Sequence, residues 1–237
     1  LGRDIRTAGH CFGCTASAGS SCTGSLAAPG PGLGKVKADT SRGAPVAEKD
    51  NKDKATSPDT GMDLAAIRRY YGEVLQKSTD LKTDACCTVA DTPLWLRQAL
   101  NNVHTEVLDR YYGCGLVAPE AVEDCTVVDL GCGTGRDVYV LAQLVGEGGR
   151  VIGVDMTPEQ VAIARKHRQW HAHRHGYARP NTEILEGFIE DLSAITDASV
   201  DIVISNCVLN LSPDKPRVFR EVHRILKPGG EFYFSDV

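Results

Sequence analysis

The stretch that most constrains the fold is residues 126–137, Thr-Val-Val-Asp-Leu-Gly-Cys-Gly-Thr-Gly-Arg-Asp. Its first half is β-branched and apolar, the composition of a buried strand. Three glycines then alternate, Gly131, Gly133 and Gly135, and the run from Val138 to Val145 has helical character. Glycine reaches positive φ at little cost and has no Cβ, so a ligand can lie against its backbone. A strand, a glycine turn and a helix N-terminus together make a nucleotide-type site. Two acids refine it. Asp129 sits inside the strand end, and Asp155 closes the next apolar run, Arg150-Val-Ile-Gly-Val-Asp155. An acid about 20 residues past a glycine turn is placed for ribose hydroxyls.

From Cys125 onward strands and helices alternate. Strands are expected at about 126–131, 150–155, 182–187, 200–207 and 231–237, and helices at about 136–145, 158–174 and 215–226. This order implies an α/β fold, a mostly parallel sheet covered by helices on both faces. Such sheets bind ligands beyond the carboxyl ends of their strands, where strand order switches. The ends Asp129–Gly133, Asp155–Met156, Phe188–Asp191 and Ser205–Cys207 would converge on one cleft. There Ile189 suits an adenine ring, with Glu190 near its exocyclic amine; a simple polar loop is the alternative. Leu226-Lys-Pro-Gly-Gly230 reads as a helix stop and turn before the last strand.

The rest of the chain divides by composition. Residues 1–60 are rich in Gly, Ala, Ser and Pro without helical or strand period, which implies disorder. An organelle transit peptide and a linker are both open readings of this segment. Its His10, Cys11, Cys14 and Cys22 lack the second cysteine pair that a zinc site needs. Residues 61–122 read as a helical cap. Asp63–Gly72 suggests a helix with an acidic start. Pro93–Asp109 suggests a second, with Leu96, Leu100, Val103 and Val107 on one face. Residues 123–237 then form the nucleotide-binding domain. A net charge of −5 with no long basic run argues against a nucleic-acid partner. No apolar stretch is long enough to span a membrane. Nine cysteines without a regular framework point to thiol or metal chemistry in a reducing, cytoplasmic setting. The start at Leu1 and the stop at Val237, inside an apolar run, suggest a piece of a longer protein whose fifth strand keeps an unpaired edge.

The glycine spacing is G-x-G-x-G, which differs from the G-x-G-x-x-G of dinucleotide binders. Asp129-Leu-Gly-Cys-Gly-Thr-Gly135 resembles motif I of the Rossmann-like S-adenosylmethionine (SAM) methyltransferases, where the early acid lies near the methionine part of the cofactor. Leu226-Lys-Pro-Gly-Gly230 resembles the motif before their fifth strand. A more specific resemblance covers roughly residues 64–237. Tyr70-Tyr-Gly-Glu-Val-Leu75, Asp80-Leu-Lys-Thr83, Arg110-Tyr-Tyr-Gly-Cys-Gly115, Ser205-Asn-Cys-Val-Leu-Asn-Leu211 and Phe234-Ser-Asp-Val237 look like the arsenite methyltransferases. That resemblance implies methyl transfer from SAM to trivalent arsenic held by cysteine thiolates, an arsenic-detoxifying reaction supported by glutathione or thioredoxin. It implies arsenic ligation by Cys114 and Cys207, with Cys86 joining in the early steps. It implies SAM contacts at Tyr112, Gly131, Gly133, Asp155, Met156, Ile189 and Asn206, joined by Asp129, Gly135 and Glu190 from the reading of the strand ends. A monomer acting on a small molecule is expected. A further cysteine of the family lies downstream of Phe234-Ser-Asp-Val237.

Other readings stay open. Cys125 and Cys132 suit packing, since cysteine behaves as a small hydrophobe, and Cys87 is either a neighbour of Cys86 or a disulfide partner during turnover. His167, His171 and His175 recur at helical spacing, but Arg165, Lys166, Arg168 and Arg174 beside them favour a solvated basic face over a metal site. The rival functions are a SAM methyltransferase for a carbon or oxygen substrate, such as a quinone or sterol, and a non-catalytic thiol protein that binds arsenic.

Overall fold

The computed structural model describes residues 63–77, 80, 93–113, 116–119 and 121–236. The expectations for residues 1–60, for Cys86 and Cys87 and for Cys114 lie outside these. Five parallel strands, β1 (Thr126–Leu130), β2 (Arg150–Asp155), β3 (Thr182–Glu186), β4 (Val200–Asn206) and β5 (Leu226–Ser235), form one sheet in the order β3-β2-β1-β4-β5. The order switches between β1 and β4, so the cleft expected at their carboxyl ends exists by topology. Alternate residues of each strand feed two cores. Val127, Val151, Ile202 and Ile204 face α4 (Arg136–Leu144) and α5 (Pro158–Lys166). Val128, Ile152, Val154 and Val203 face α7 (Lys215–Ile225), whose Val218, Val222 and Ile225 recur at helical spacing. Burial on both faces explains why these strands read as continuous apolar runs.

Two long helices of the sequence reading are each broken. The segment expected as one helix over 93–109 is α2 (Leu94–Asn101) and a single turn, α3 (Thr105–Leu108). His104 ends the interruption by capping α3: its Nδ1 accepts the Glu106 amide at 3.1 Å. The apolar face survives the break, because Leu96, Val103 and Val107 are all buried against Tyr139 and Val140 of α4. Likewise the helix expected over 158–174 is α5 and α6 (Arg168–His175), separated at His167, where φ is −97° and ψ 3°. α1 (Leu64–Arg69), capped by Asp63, runs on into a wider turn, Tyr70–Val74. β5 starts at Leu226 rather than 231. Val200 pairs with Leu226 and Ile202 with Glu231, so Lys227–Gly230 bulge opposite Asp201. Lys227 Nζ lies 2.8 Å from both carboxylate oxygens of Asp201, whose Oδ2 also takes the Thr126 amide at 2.9 Å. The turn chemistry of Pro-Gly-Gly is thus spent inside the strand.

The basic residues expected on a solvated face are exposed at Arg165, Lys166 and Arg174, with Arg168 half-buried, but the histidines between them turn inward. His167 and His171 are buried. Arg165 donates to the carbonyl of Ile184 at 3.0 and 3.1 Å, and Arg168 donates to that of Thr182, so both cover the outer edge of β3. His171 stacks on the buried ring of Tyr139, with centroids 3.4 Å apart. Its Nε2 accepts the His104 amide at 3.1 Å, which leaves Nδ1 to donate to the His167 carbonyl at 2.8 Å. The ring is therefore neutral. Burial lowers its pKa to about 3, and burial with Arg174 lowers that of His175 to about 4.

Both values lie below the ordinary histidine pKa, so between them and about 6.5 the unfolded chain binds protons that the folded chain refuses. Stability present above pH ~6.5 is lost as pH falls through this window, by up to about 1.4 kcal/mol per pH unit for each histidine. Urea midpoints measured from pH 7 to pH 4 should fall accordingly, and the slope should flatten in His171→Gln.

Candidate active site

The glycine turn is built by three different demands on three glycines. Gly131 has φ +74°, and a Cβ there would stand 2.3 Å from Cγ2 of Val208. Gly133 has φ +55°, and its Cβ would meet nothing closer than Gln160 Oε1 at 3.8 Å, so a side chain there would project into the cleft. Gly135, at φ +88°, caps α4, and its Cβ would press on Tyr139 at 3.2 Å. Gly131 and Gly133 line the cleft; Gly135 does not. The last glycine of the motif thus serves helix packing.

Asp155 closes the turn from β2. Its Oδ2 accepts the Gly133 amide and its Oδ1 the Thr157 amide, each at 2.8 Å. The second bond sets the entry to α5. Burial pushes the Asp155 carboxyl up, and these two amides pull it back. Asp129, at 2% exposure, lies beneath the turn. Burial, then the charges of Asp137 and Asp155, push its carboxyl well above the carboxylate range; Arg136 partly offsets them. Arg136 Nε holds Asp137 Oδ1 at 2.7 Å. Asp129, Asp137 and Asp155 thus gather at the cleft floor, where crowding pushes Asp129 toward its protonated form.

The walls come from the cap and from the ends of β3 and β4. Leu64, Ile67 and Tyr71 of the first helix and turn face the cleft with Tyr111 and Tyr112. Tyr112 donates its hydroxyl to the Leu75 carbonyl at 3.0 Å. Tyr111 lies under the Arg136 guanidinium, 3.3 Å from ring centroid to Cζ, and its hydroxyl accepts Asn206 Nδ2 at 2.8 Å. Gly113 is what allows this, since a Cβ there would lie 2.2 Å from the Tyr111 oxygen. Phe188, Ile189 and Met156 supply apolar wall, and Glu190 accepts the Ser212 hydroxyl at 2.5 Å. At the opposite rim Cys207 adopts φ +55°, a conformation uncommon outside glycine, and donates its amide to the Ser235 carbonyl at 2.7 Å.

Tyr112, Asp129, Gly131, Gly133, Asp155, Met156, Ile189, Glu190, Asn206 and Cys207 therefore meet in one cleft. Cys86 and Cys114 lie outside the described residues. Tyr111, Asp137, Thr157 and Gln160 also line the site, and Arg136 backs Tyr111 and Asp137, but none was singled out from the sequence. The one available signal was position: Tyr111 neighbours Tyr112, and Arg136 and Asp137 follow Gly135 directly. Cys132 lies under the turn, where a Cβ on Gly153 would come within 2.7 Å of its Sγ. Burial, then Asp155 and Asp129, push its thiol well up, so it stays protonated and unreactive. Burial and Asp201 also raise Cys125.

Residues 121–237 match the family described as a methyltransferase domain. The arsenite methyltransferase of Aquipseudomonas alcaligenes is 58% identical over 174 residues, covering 73% of this chain and 50% of the relative. That of Rattus norvegicus is 53% identical over 174 residues, covering 72% of this chain and 47% of the relative. Among solved structures, an arsenic (III) S-adenosylmethionine methyltransferase from Chlamydomonas reinhardtii superposes with a TM-score of 0.59 at 50% identity, over 61% of this chain and 49% of that one. The chain spans about half the length of the curated relatives it matches.

Alanine at either cleft glycine forces a side chain into the left-handed region, a cost of roughly 1–3 kcal/mol. Gly131→Ala adds the clash with Val208, so its urea midpoint should fall further than that of Gly133→Ala. The latter should keep more stability yet narrow the cleft, and weaken SAM binding measured by calorimetry.

Proposed function

We propose that the chain is a SAM-dependent methyltransferase that transfers methyl groups from SAM to trivalent arsenic held by cysteine thiolates, a reading supported by its likeness to arsenite methyltransferases. The observation that carries the reading is the place of Cys207. A residue in a strained backbone conformation at the end of β4 stands on the rim of the same cleft as the glycine turn and Asp155. Soft thiolates suit a soft centre such as arsenic(III). Cys114 and Cys86, on the resemblance alone, complete the ligand set.

The cleft fits the cofactor. Gly133 leaves open space where a Cβ would be, so the backbone can lie against the ligand. Asp155 already spends one lone pair of each oxygen on the turn and retains others for ribose hydroxyls. Phe188, Ile189 and Met156 flank an adenine ring, with Glu190 toward its amine. Asp129 and Asp137 favour the cationic methionyl end, bordered by Tyr112 and Asn206. When bound, SAM supplies a methyl group on a sulfonium, an electrophile for in-line displacement. The cysteines fix the arsenic and aim its lone pair across the cleft, and such positioning can supply much of a rate. Their thiolates are the competent form.

Finer points follow the same reading. Donation of the arsenic lone pair to the methyl carbon breaks its bond to sulfur, releases the cofactor as a neutral thioether and leaves arsenic pentavalent; two thiols give the two electrons that restore trivalent arsenic and become a disulfide, which glutathione or thioredoxin reduces. The small-molecule substrate is arsenite or its thiol complexes, and nucleic acid has no part. The protein acts as a cytoplasmic monomer in arsenic detoxification; its cysteine usage supports a reducing compartment. Residues 1–60, 61–122 and 123–237 serve as an N-terminal segment, a cap and the SAM domain. Among the described residues no helix is long and apolar enough to cross a membrane.

The purified chain mixed with SAM, glutathione and arsenite should yield methylated arsenic, separated and identified by mass. Cys207→Ser should abolish product while leaving SAM affinity within about twofold of the parent, since thiol and hydroxyl differ little in size. Cys132→Ala should retain arsenite-dependent turnover, because its thiol is protonated. Equal turnover in the parent and Cys207→Ser would sink the arsenic assignment in favour of a carbon or oxygen substrate. Bound arsenite without SAM consumption would favour a thiol-binding protein.

A further inference from the structure

His167, His171 and His175 recur at helical spacing along α5 and α6, and the fold rules out a metal held by all three. Both nitrogens of His171 are committed to backbone groups, and its ring is sandwiched against Tyr139. His167 turns elsewhere. It sits at the break between α5 and α6 and faces α3 of the cap. Its Nε2 lies 2.7 Å from Glu106 Oε2, and its ring stacks on that of His104 with centroids 3.8 Å apart. One ligand atom from each of His104, Glu106 and His167 falls within 4.8 Å of the others.

We propose that His104, Glu106 and His167 form a binding site for a divalent transition metal, zinc or an ion of similar preference, which ties α3 of the cap to the α5–α6 junction. The site lies outside the methyl-transfer cleft and does not depend on the reading of that cleft. Two imidazoles and one carboxylate are the donor set that zinc accepts with a fourth position open to water. The three donors come from two separate parts of the chain, and each is positioned by local structure. The edge of Trp170 packs 4.9 Å from the His104 ring; its Nδ1 accepts the Glu106 amide, so a metal on either ring nitrogen takes the place of that cap bond. His167 is fixed by the helix break and is 6% exposed. Glu106 reaches both from the first turn of α3 and is partly exposed, so an ion can arrive from solvent.

Metal–ligand bonds of about 2.0–2.2 Å place tetrahedral donors roughly 3.3 Å apart. The Glu106–His167 contact must open slightly and His104 must close slightly, which the exposed Glu106 side chain permits. One feature opposes the ion: Lys166 Nζ lies 2.7 Å from the same Glu106 oxygen. A metal must take that oxygen and leave the ammonium the other, or release it to solvent. Lys166 is 61% exposed at its side chain and gains water readily.

That competition gives the site a signature that a chance cluster lacks. The full chain, freed of metal with a chelator and kept reduced, is titrated with Co²⁺ and followed by electronic absorption. Occupancy should produce visible ligand-field bands without the intense near-ultraviolet band of thiolate ligation. Glu106→Gln, a substitution at a partly exposed position that keeps the fold, should weaken this binding by at least about tenfold, the lower end of what even an outer partner of a metal contributes. Lys166→Ala should tighten it several-fold. Zn²⁺ should displace Co²⁺ and raise Tm in the parent and not in Glu106→Gln. Bands that persist unchanged in Glu106→Gln, a spectrum dominated by thiolate charge transfer, or Lys166→Ala without effect would each overturn the proposal.

Discussion

The carboxylate of Asp155 is the contact on which the site rests. One side chain at the end of β2 reaches across to β1 and accepts the Gly133 amide, and turns back to accept the Thr157 amide. It thereby fixes two chain reversals at once: the glycine turn into α4 and the entry to α5. The carbonyl of Val154, one residue earlier, accepts the amides of Gly131 and Cys132 at 2.8 and 3.1 Å. The whole turn is thus slung from the end of β2. Charge-assisted bonds of this kind contribute about 1.5–3 kcal/mol each, against a burial cost that raises the acid's pKa. The carboxylate is kept because nothing apolar could hold both amides.

That arrangement crowds acids together. Asp129, Asp137 and Asp155 share one small volume; burial and its neighbours push Asp129 toward the protonated form, and Arg136 pairs with Asp137. Arg136 in turn is held from above by the Tyr111 ring, and Tyr111 by Asn206 and by the absent Cβ of Gly113. The cap therefore contributes an aromatic face to a cation that neutralises an acid of the core. Desolvating Arg136 beside Asp137 strengthens their attraction, so the Tyr-Tyr-Gly segment does more than cover the cleft: it sets the charge balance on its floor. A cationic ligand would relieve what remains.

The alternation of elements was legible because parallel strands buried on both faces leave apolar runs of the right length, and Asp129 and Asp155 fell where those runs end. What was not legible depended on distant partners. The period of Leu96, Leu100, Val103 and Val107 continues through the break at 102–104, so nothing apolar marks it; His104, the capping residue, is outside the usual set of caps. The basic residues around His167 and His171 face solvent as their charge implied, with Arg165 and Arg168 reaching the carbonyls of β3, but the histidines turn under Tyr139 and α3. Gly153 was readable and passed over: a glycine inside a strand signals close approach, and here it makes room for Cys132 and Val138 under the turn.

The glycine motif and the cysteine at the end of β4 are one structural device. After β4 the chain must turn sharply, and Cys207 takes the left-handed conformation that permits it, with its amide tied to β5 through Ser235. Val208 then drops against Gly131, into space that any other residue at 131 would fill. Were Gly131 replaced, Val208 would be displaced, and Cys207 would lose the support that offsets its strained backbone, a cost of about 1–3 kcal/mol. So the first glycine of a motif read as a cofactor cradle also decides where the neighbouring thiol at the end of β4 can stand. The glycine turn and Cys207 are positioned by the same missing Cβ, which is why a residue as unfavourable at positive φ as cysteine can persist at the end of a buried strand.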